Sequence, residues 1–300
     1  MGRQPALPEA LVLTPGGFRP ASRAHRIEAE HHLDLAGGRL RKVHRSGRTV
    51  ADFGPLEHAA TPPPSRPGNV ARGAPAPRSA IEAVPGLGGG WIAYAGWTNT
   101  SGAPVSLLRT TWTVPPPPRT QSGQTVFLFN GIENATMIYQ PVLQWGVSAA
   151  GGGDYWAIAS WYAAGPGGHS FYSPLTPVAA GTELVGVMTL TDRSSTGCSY
   201  EAAFEGFAAT SLPVRNVPEL TWCVQTLEAY GIGARSDYPP VTVTAMRAIE
   251  LQVGGRPAAL AWTAYSPVTD TGQHCVVVSN DAALGEVDLY YQQPAATPVA

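Results

Sequence analysis

A glutamine inside an apolar strand sequence is the side chain of this 300-residue chain that most clearly invites chemistry. Gln144 lies in PVLQWG, between Leu143 and Trp145, within an aromatic stretch at residues 129–162. Burying an amide without hydrogen-bond partners costs roughly 2–7 kcal/mol, so buried amides are nearly always paired. Gln144 is therefore either satisfied in a core or placed in a cleft, where its amide can hydrogen-bond a ligand.

The chain lacks the short sequence signatures of the common hydrolases, phosphate-binding proteins and zinc enzymes. It has no GxSxG, no HExxH, no phosphate-binding loop and no paired CxxC. Asp270 begins a DTG tripeptide, the short signature of aspartic peptidases, but those enzymes need two carboxylates that share a proton. This single copy predicts a turn. His169, in the glycine-rich GPGGHSF, is expected to be an incidental loop residue.

Four histidines near the N-terminus, His25, His31, His32 and His44, raise the question of a metal site. A metal site needs fixed ligand geometry and usually a carboxylate or thiolate partner. Because successive strand residues point to opposite faces, His31 and His32 would diverge. We therefore expect solvated strand histidines, no metal and no other cofactor.

Composition indicates many short strands and turns. Hydrophobic residues make up 44% of the chain and charged residues only 13%, with 34 glycines and 29 prolines. No stretch of 18 apolar residues occurs, and the net charge of -2 gives no reason to expect nucleic acid or an anionic membrane as partner. Three cysteines leave open one disulfide with a free thiol or three reduced thiols: Cys198, Cys223 and Cys275.

Four segments follow from the pattern. Residues 1–54 are basic: they begin with a loosely ordered lead-in to about residue 24, and a small β-meander follows, in which HHLDL, RLRKVH and TVADF alternate. Residues 55–87 form a linker rich in Pro, Ala and Gly. Residues 88–292 carry a strand about every ten residues, which predicts an all-β, antiparallel two-sheet sandwich of the jelly-roll, concanavalin-like kind. Residues 293–300 are a tail.

Within the predicted sandwich, several motifs occur in the order found in the glutamic peptidases, or eqolisins, which are acid-acting endopeptidases. The resemblance covers residues 91–230. The motifs are WTVP at 112–115, GIE at 131–133, VLQWG at 142–146, YWAIASWY at 155–162 and AGTEL at 180–184. The VLQWG motif resembles the family strand that supplies a catalytic glutamine, and YWAIASWY resembles the strand that follows it. Their order, rather than any one motif, carries the resemblance.

The resemblance implies a two-residue mechanism. A glutamate acts as general base and later protonates the leaving amine, while a glutamine amide positions the water and stabilises the oxyanion. Gln144 matches the glutamine, whereas the glutamate position falls on Gln225 in LTWCVQTLE, and a further family glutamate falls on Ser160. An amide cannot act as a general base, so this alignment predicts a pseudoenzyme.

Three carboxylates offer alternatives to Gln225. Glu133 lies in the turn before Gln144. Glu219 lies six residues before Gln225, at the start of the strand. Glu228 lies three residues after Gln225, an odd step, so that an alternating strand points it to the opposite face from Gln225.

Three functions remain open at this point. The first is a glutamic-peptidase-like protein that binds extended peptide and hydrolyses it at acid pH only if a carboxylate partners Gln144. The second is a lectin-like carbohydrate-binding sandwich, and the third is a structural domain. The side chains expected to line the cleft are Trp145, Tyr155, Trp156, Ser160, Trp161 and Trp222.

Charge is divided unevenly along the chain. Residues 1–80 hold 12 Arg and Lys against 6 Asp and Glu, and residues 81–300 hold 7 against 15. The basic segment could therefore cover an acidic cleft as a pro-segment. We expect a monomer. Localisation stays open: cytoplasmic by default, because no clear signal peptide is visible, but secreted by analogy with the family.

Overall fold

The structure, a computed structural model, describes residues 9–56, 90–165 and 168–292. These residues form β-strands joined by turns, with three short 3-10 turns as the other regular elements. The predicted all-β sandwich is confirmed, while its jelly-roll connectivity stays a prediction. The predicted tail, and the predicted linker beyond residue 56, lie outside the described residues. Within the described ranges, no helix has the length and apolar character that crossing a membrane requires.

The first sheet has nine strands, and its central strands are buried almost throughout. In spatial order its members are β20 (Thr263–Tyr265), β7 (Trp91–Thr98), β17 (Trp222–Tyr230), β9 (Thr125–Glu133), β10 (Met137–Ser148), β11 (Gly151–Ala164), β12 (Ser170–Tyr172) and β3 (Ala24–Arg26), with β13 (Thr176–Pro177) paired to β11.

The second sheet has eleven strands and packs against the first. Its members in spatial order are β21 (His274–Ser279), β22 (Gly285–Tyr290), β18 (Val243–Val253), β8 (Val105–Thr113), β14 (Glu183–Ser194), β15 (Gly197–Phe204), β16 (Phe207–Val217), β4 (His31–Asp34), β5 (Arg39–His44) and β6 (Thr49–Pro55), with β19 (Arg256–Pro257) paired to β18.

The core lies between the two sheets and follows the two-residue period of the strands. Leu143 and Trp145 of β10 enter it, and they join a large apolar cluster with Trp112 and Met188 of the second sheet. A second apolar cluster lies on the opposite face of the first sheet, which we call the outer face. The first sheet is therefore buried on both faces, which explains its nearly continuous apolar strands.

Strands from the N-terminal residues extend both sheets. β3 pairs with β12, and β4 pairs with β16, in each case in parallel, whereas the other strand pairs are antiparallel. Two further strands, β1 (Leu11–Thr14) and β2 (Gly17–Pro20), form a separate hairpin. The expectation of a loosely ordered lead-in is wrong for these residues, because Pro15 and Gly16 act as a tight turn between two short strands.

The predicted histidine and cysteine sites can now be located. His25 Nε2 lies 2.9 Å from His169 Nδ1, so His169 contacts the N-terminal segment instead of standing alone in a loop. Both rings pack with Phe171 and Phe53. Among the described residues no group of three or more His, Cys, Asp or Glu side chains is arranged to hold a metal ion. The free thiols are buried at Cys198, Cys223 and Cys275.

The position of Trp145 in the inter-sheet core can be tested by its contribution to stability. Trp145 is 2% exposed and packs edge-on against Trp156, with ring centroids 5.5 Å apart, while Tyr155 is 43% exposed. Trp145→Ala should lower the free energy of unfolding by about 3–5 kcal/mol, because it leaves a large cavity. The matched control Tyr155→Ala should change it by less than about 1 kcal/mol. Urea denaturation measures both, and equal losses would contradict this placement.

Candidate active site

Gln144 lies on the outer face of the first sheet. The alternation of β10 sends Leu143 and Trp145 into the inter-sheet core, so Gln144 points the other way, with Val142 and Ile138 of the outer apolar cluster. Its side chain is buried. The polar residue at the centre of the sequence pattern therefore stands on a covered face, away from the main core.

The Gln144 amide is held by its own β-hairpin. Its Nε2 donates to the carbonyl oxygens of Gly146 at 2.8 Å and Gly151 at 2.9 Å, and its Oε1 accepts from the Ser148 hydroxyl at 2.7 Å. Gly152 closes the space around the amide, because a Cβ at that position would lie 2.5 Å from Nε2. Both amide hydrogens are in use, whereas Oε1 keeps one free lone pair.

Glu228 is the carboxylate that shares this face with Gln144. In the strand register, Gln144 of β10 is opposite Phe127 of β9, and Phe127 is opposite Glu228 of β17. Directly opposed residues point to the same face, and two strand spacings amount to about 10 Å between backbones. Gln144 and Glu228 therefore flank the Phe127 ring in a single cross-strand row.

The surroundings of the Glu228 carboxyl favour its neutral form. Burial raises its pKa from 4.5 to about 7, although hydrogen bonds from Tyr230 and Gly16 and the charge of Arg19 oppose the rise. Its Oε1 accepts hydrogen bonds from the Tyr230 hydroxyl and from the Gly16 backbone N–H, the latter at 2.9 Å. Its Oε2 has no hydrogen-bond partner in the part of the chain that the structure describes. A raised carboxyl pKa and one open oxygen are features of acid–base groups.

Gln225 points to the opposite face from Gln144. Val224, one residue before it, belongs to the outer cluster, and Leu227, two residues after it, belongs to the inter-sheet cluster. Because strand side chains alternate, Gln225 faces the second sheet. There its Nε2 donates to Thr110 Oγ1 of β8 at 3.1 Å. It therefore links the two sheets and does not meet Gln144 in a cleft.

Glu133 shares the outer face but lies far from Gln144. It is six residues from Phe127 along β9, which corresponds to about 20 Å. Burial raises the pKa of its carboxyl well above the ordinary value, and neither oxygen has a hydrogen-bond partner among the described residues. Glu219, in contrast, is exposed and lies outside the strands.

The six residues that were predicted to line a cleft lie in three different environments. Trp145 and Trp156 belong to the inter-sheet core. Ser160 is buried on the same side, because it lies two residues from Ile158 and from Tyr162 in that core. The outer face carries Trp161 and the half-buried Trp222, and Tyr155 is exposed.

Two residues of this face were missed by sequence reasoning, Arg19 and Gly16, because they lie in a segment dense in Pro and Gly. For Glu228, the odd step from Gln225 correctly indicated the opposite face from Gln225. No pattern in the sequence indicated whether Gln144 points to the inter-sheet core or to the outer face.

Comparisons with known proteins find likeness at the level of structure. A scan against protein-family models finds no match, and a search of curated protein sequences finds none either. Among solved structures, the chain is similar to scytalido-glutamic peptidase with a peptide-based transition-state analogue, at 15% identity and a TM-score of 0.45. It is also similar to SCP-B, a member of the eqolisin family of peptidases in complex with the tripeptide Ala-Ile-His, at 14% identity and a TM-score of 0.37.

Each of these matches covers 68% of this chain and 98% of the other. At these identities the likeness is one of fold.

The raised pKa of Glu228 predicts a specific dependence of stability on pH. Between about pH 4.5 and 7 the folded carboxyl keeps a proton that the unfolded carboxyl has lost, so the free energy of unfolding falls as pH rises through this range. Glu228→Gln cannot titrate and should remove up to about 3 kcal/mol of that fall. The exposed Glu219→Gln is the control. Urea denaturation from pH 4 to 8 measures the effect, and identical profiles for wild type and Glu228→Gln would contradict it.

Proposed function

We propose that this chain hydrolyses peptides at acid pH, with Glu228 as general base and general acid and Gln144 as the residue that positions water. The observation that supports this most directly is the row in which Gln144 and Glu228 flank Phe127 on one face. The proposal assigns Glu228 instead of Gln225 as the partner of Gln144. Because Glu228 carries a carboxyl group, the reason to expect a pseudoenzyme no longer applies.

The chemistry uses the ionised form of Glu228, which burial makes the minor form below about pH 7, so cleavage should rise as pH increases toward 7. Its carboxylate takes a proton from a water molecule as the water oxygen attacks the carbonyl carbon of the substrate. The tetrahedral intermediate then breaks its C–N bond, and Glu228 returns the proton to the departing amine nitrogen. One water is consumed, an acid and an amine are released, and Glu228 ends ionised, so the cycle balances.

Gln144 can take part through its carbonyl oxygen first. Oε1 has a free lone pair with which to accept a hydrogen bond from the water, while both Nε2 hydrogens donate to Gly146 and Gly151. Donation to the oxyanion requires that Nε2 exchange one of these backbone partners for the substrate. The short β10–β11 hairpin around Gln144 therefore has to adjust during the reaction.

Carbohydrate binding has less support. It relied on stacking by aromatic side chains, and two of them, Trp145 and Trp156, are buried between the sheets, where no ring of a ligand can reach them. The outer face instead carries an apolar cluster interrupted by amide and carboxyl groups, which suits an extended peptide with apolar side chains. We accordingly propose a peptide or protein substrate.

The test measures the cleavage of casein between about pH 2 and 7, and mass spectrometry detects the peptides that are released. Glu228→Gln should lower kcat/KM by roughly 100-fold or more, because it removes the group that moves the proton. Gln144→Ala should lower it as well, while the exposed Glu219→Gln and the inter-sheet variant Gln225→Asn should retain it if they fold. Cleavage by Glu228→Gln at the wild-type rate would contradict the assignment.

A further inference from the structure

The β1–β2 hairpin crosses the row of Gln144, Phe127 and Glu228. At the Gln144 end, the backbone N–H of Ala149 donates to the carbonyl oxygen of Leu13 at 2.7 Å. At the Glu228 end, the backbone N–H of Gly16 donates to the carboxyl at 2.9 Å. The four residues from Leu13 to Gly16 thus span the distance between the two proposed catalytic groups.

Leu13 fills the apolar part of this face. It is 9% exposed and belongs to the outer apolar cluster, which also contains Phe127, Phe129 and Val142. Leu11, two residues earlier on the same strand, is 63% exposed. Leu13 therefore occupies a site that accepts a large aliphatic side chain, and Leu11 provides a comparison on the same strand.

Gly16 reaches Glu228 because of the turn geometry. Pro15 and Gly16 occupy the two central positions between Thr14 and Gly17, which are paired across the hairpin, and Gly16 has a φ of 91°. A proline followed by a residue with positive φ is typical of a type II turn. In such a turn the N–H of the second central residue is free of the hairpin, so it can donate outward to the carboxyl.

Arg19 anchors the hairpin beside this site. Its side chain is 1% exposed, although its charge has no carboxylate within salt-bridge distance among the described residues. The guanidinium donates instead to Thr14 Oγ1 and to carbonyl oxygens at the end of β11 and just beyond it, those of Ala164, Gly165 and Gly168. Several charge-assisted hydrogen bonds in a buried setting hold the hairpin firmly.

We propose that the β1–β2 hairpin is an intramolecular inhibitor that occupies the Gln144–Glu228 site in the manner of a bound peptide. Leu13 marks the position that a large aliphatic side chain of the substrate takes. This inference rests on the proposed function for its catalytic meaning, while occupation of the face by the hairpin can be tested separately. Peptides with leucine or a similar residue are the substrate class that the site indicates.

The experiment uses the full chain with Leu13→Asp, which places a charge in the apolar site, and with the matched control Leu11→Asp at the exposed end of the same strand. Burying a leucine shifts an equilibrium by roughly ten- to a hundredfold. Leu13→Asp should therefore cleave a leucine-containing peptide faster than wild type by a factor in this range, and Leu11→Asp should match wild type.

A binding measurement separates this inference from catalysis. The synthetic peptide EALVLTPGGFRP, residues 9–20, is titrated into each chain and followed by nuclear magnetic resonance. It should bind Leu13→Asp and not the wild type, whose site is filled. The same peptide carrying Leu13→Asp should bind neither chain.

The outcomes are distinct. Equal cleavage by wild type and Leu13→Asp overturns the inhibitor and leaves the proposed function standing. Peptide binding to Leu13→Asp with no cleavage by either chain overturns the proposed function and leaves the occupation of the face standing. No binding and no cleavage overturns both. If circular dichroism shows that Leu13→Asp does not fold, Arg19→Gln, which removes the anchor and keeps Leu13, takes its place in both measurements.

Discussion

The pairing of β9 with its two neighbours determines what the outer face of this protein presents. Phe127 is opposite both Gln144 and Glu228, so these two side chains share a face and a row. A slip of one residue in either pairing would send one of them into the inter-sheet core, because strand side chains alternate strictly. The register is fixed by burial, since each of the three strands has apolar residues that must enter the core on one side.

Buried amides in this sheet have two different structural uses. Gln225 and Asn130 point toward the second sheet, where Gln225 donates to Thr110 and Asn130 donates to the Gly186 carbonyl, so they tie the two layers together. Gln140 points to the outer face, and neither of its amide atoms has a hydrogen-bond partner in the described part of the chain. Unpaired buried polar groups lower stability, and proteins retain them mainly at functional or strained sites.

Much of the architecture could be predicted from the sequence, because strands and turns leave local signals. The alternation around Gln144 and the order of the motifs predicted the sandwich and the strand that contains Gln144. The sequence could not show which side chains of different strands share a face of the sheet. The relation between β10 and β17 depends on a register through β9, and residues 144 and 228 are far apart in sequence.

The N-terminal hairpin was missed for a different reason. LVLTPGGFRP contains two prolines and two glycines, which usually signal irregular chain. Here the central Pro-Gly forms a turn, and the strands on either side are stabilised by long-range contacts of Leu13 and Arg19. Such contacts leave no local trace in the sequence.

The parallel pairing of β3 with β12 and of β4 with β16 has a consequence for the behaviour of the molecule in solution. These N-terminal strands satisfy the outward N–H and C=O groups of β12 and β16, which would otherwise be edge strands. Loss of the N-terminal segment would make β16, a strand of 11 residues, the edge of the second sheet in place of β6, which ends at Pro55. Long open edges are templates for pairing with other chains, whereas proline at an edge discourages it. The N-terminal segment thus has two separate parts, a hairpin on the outer face and later strands that protect the second sheet against edge-to-edge aggregation.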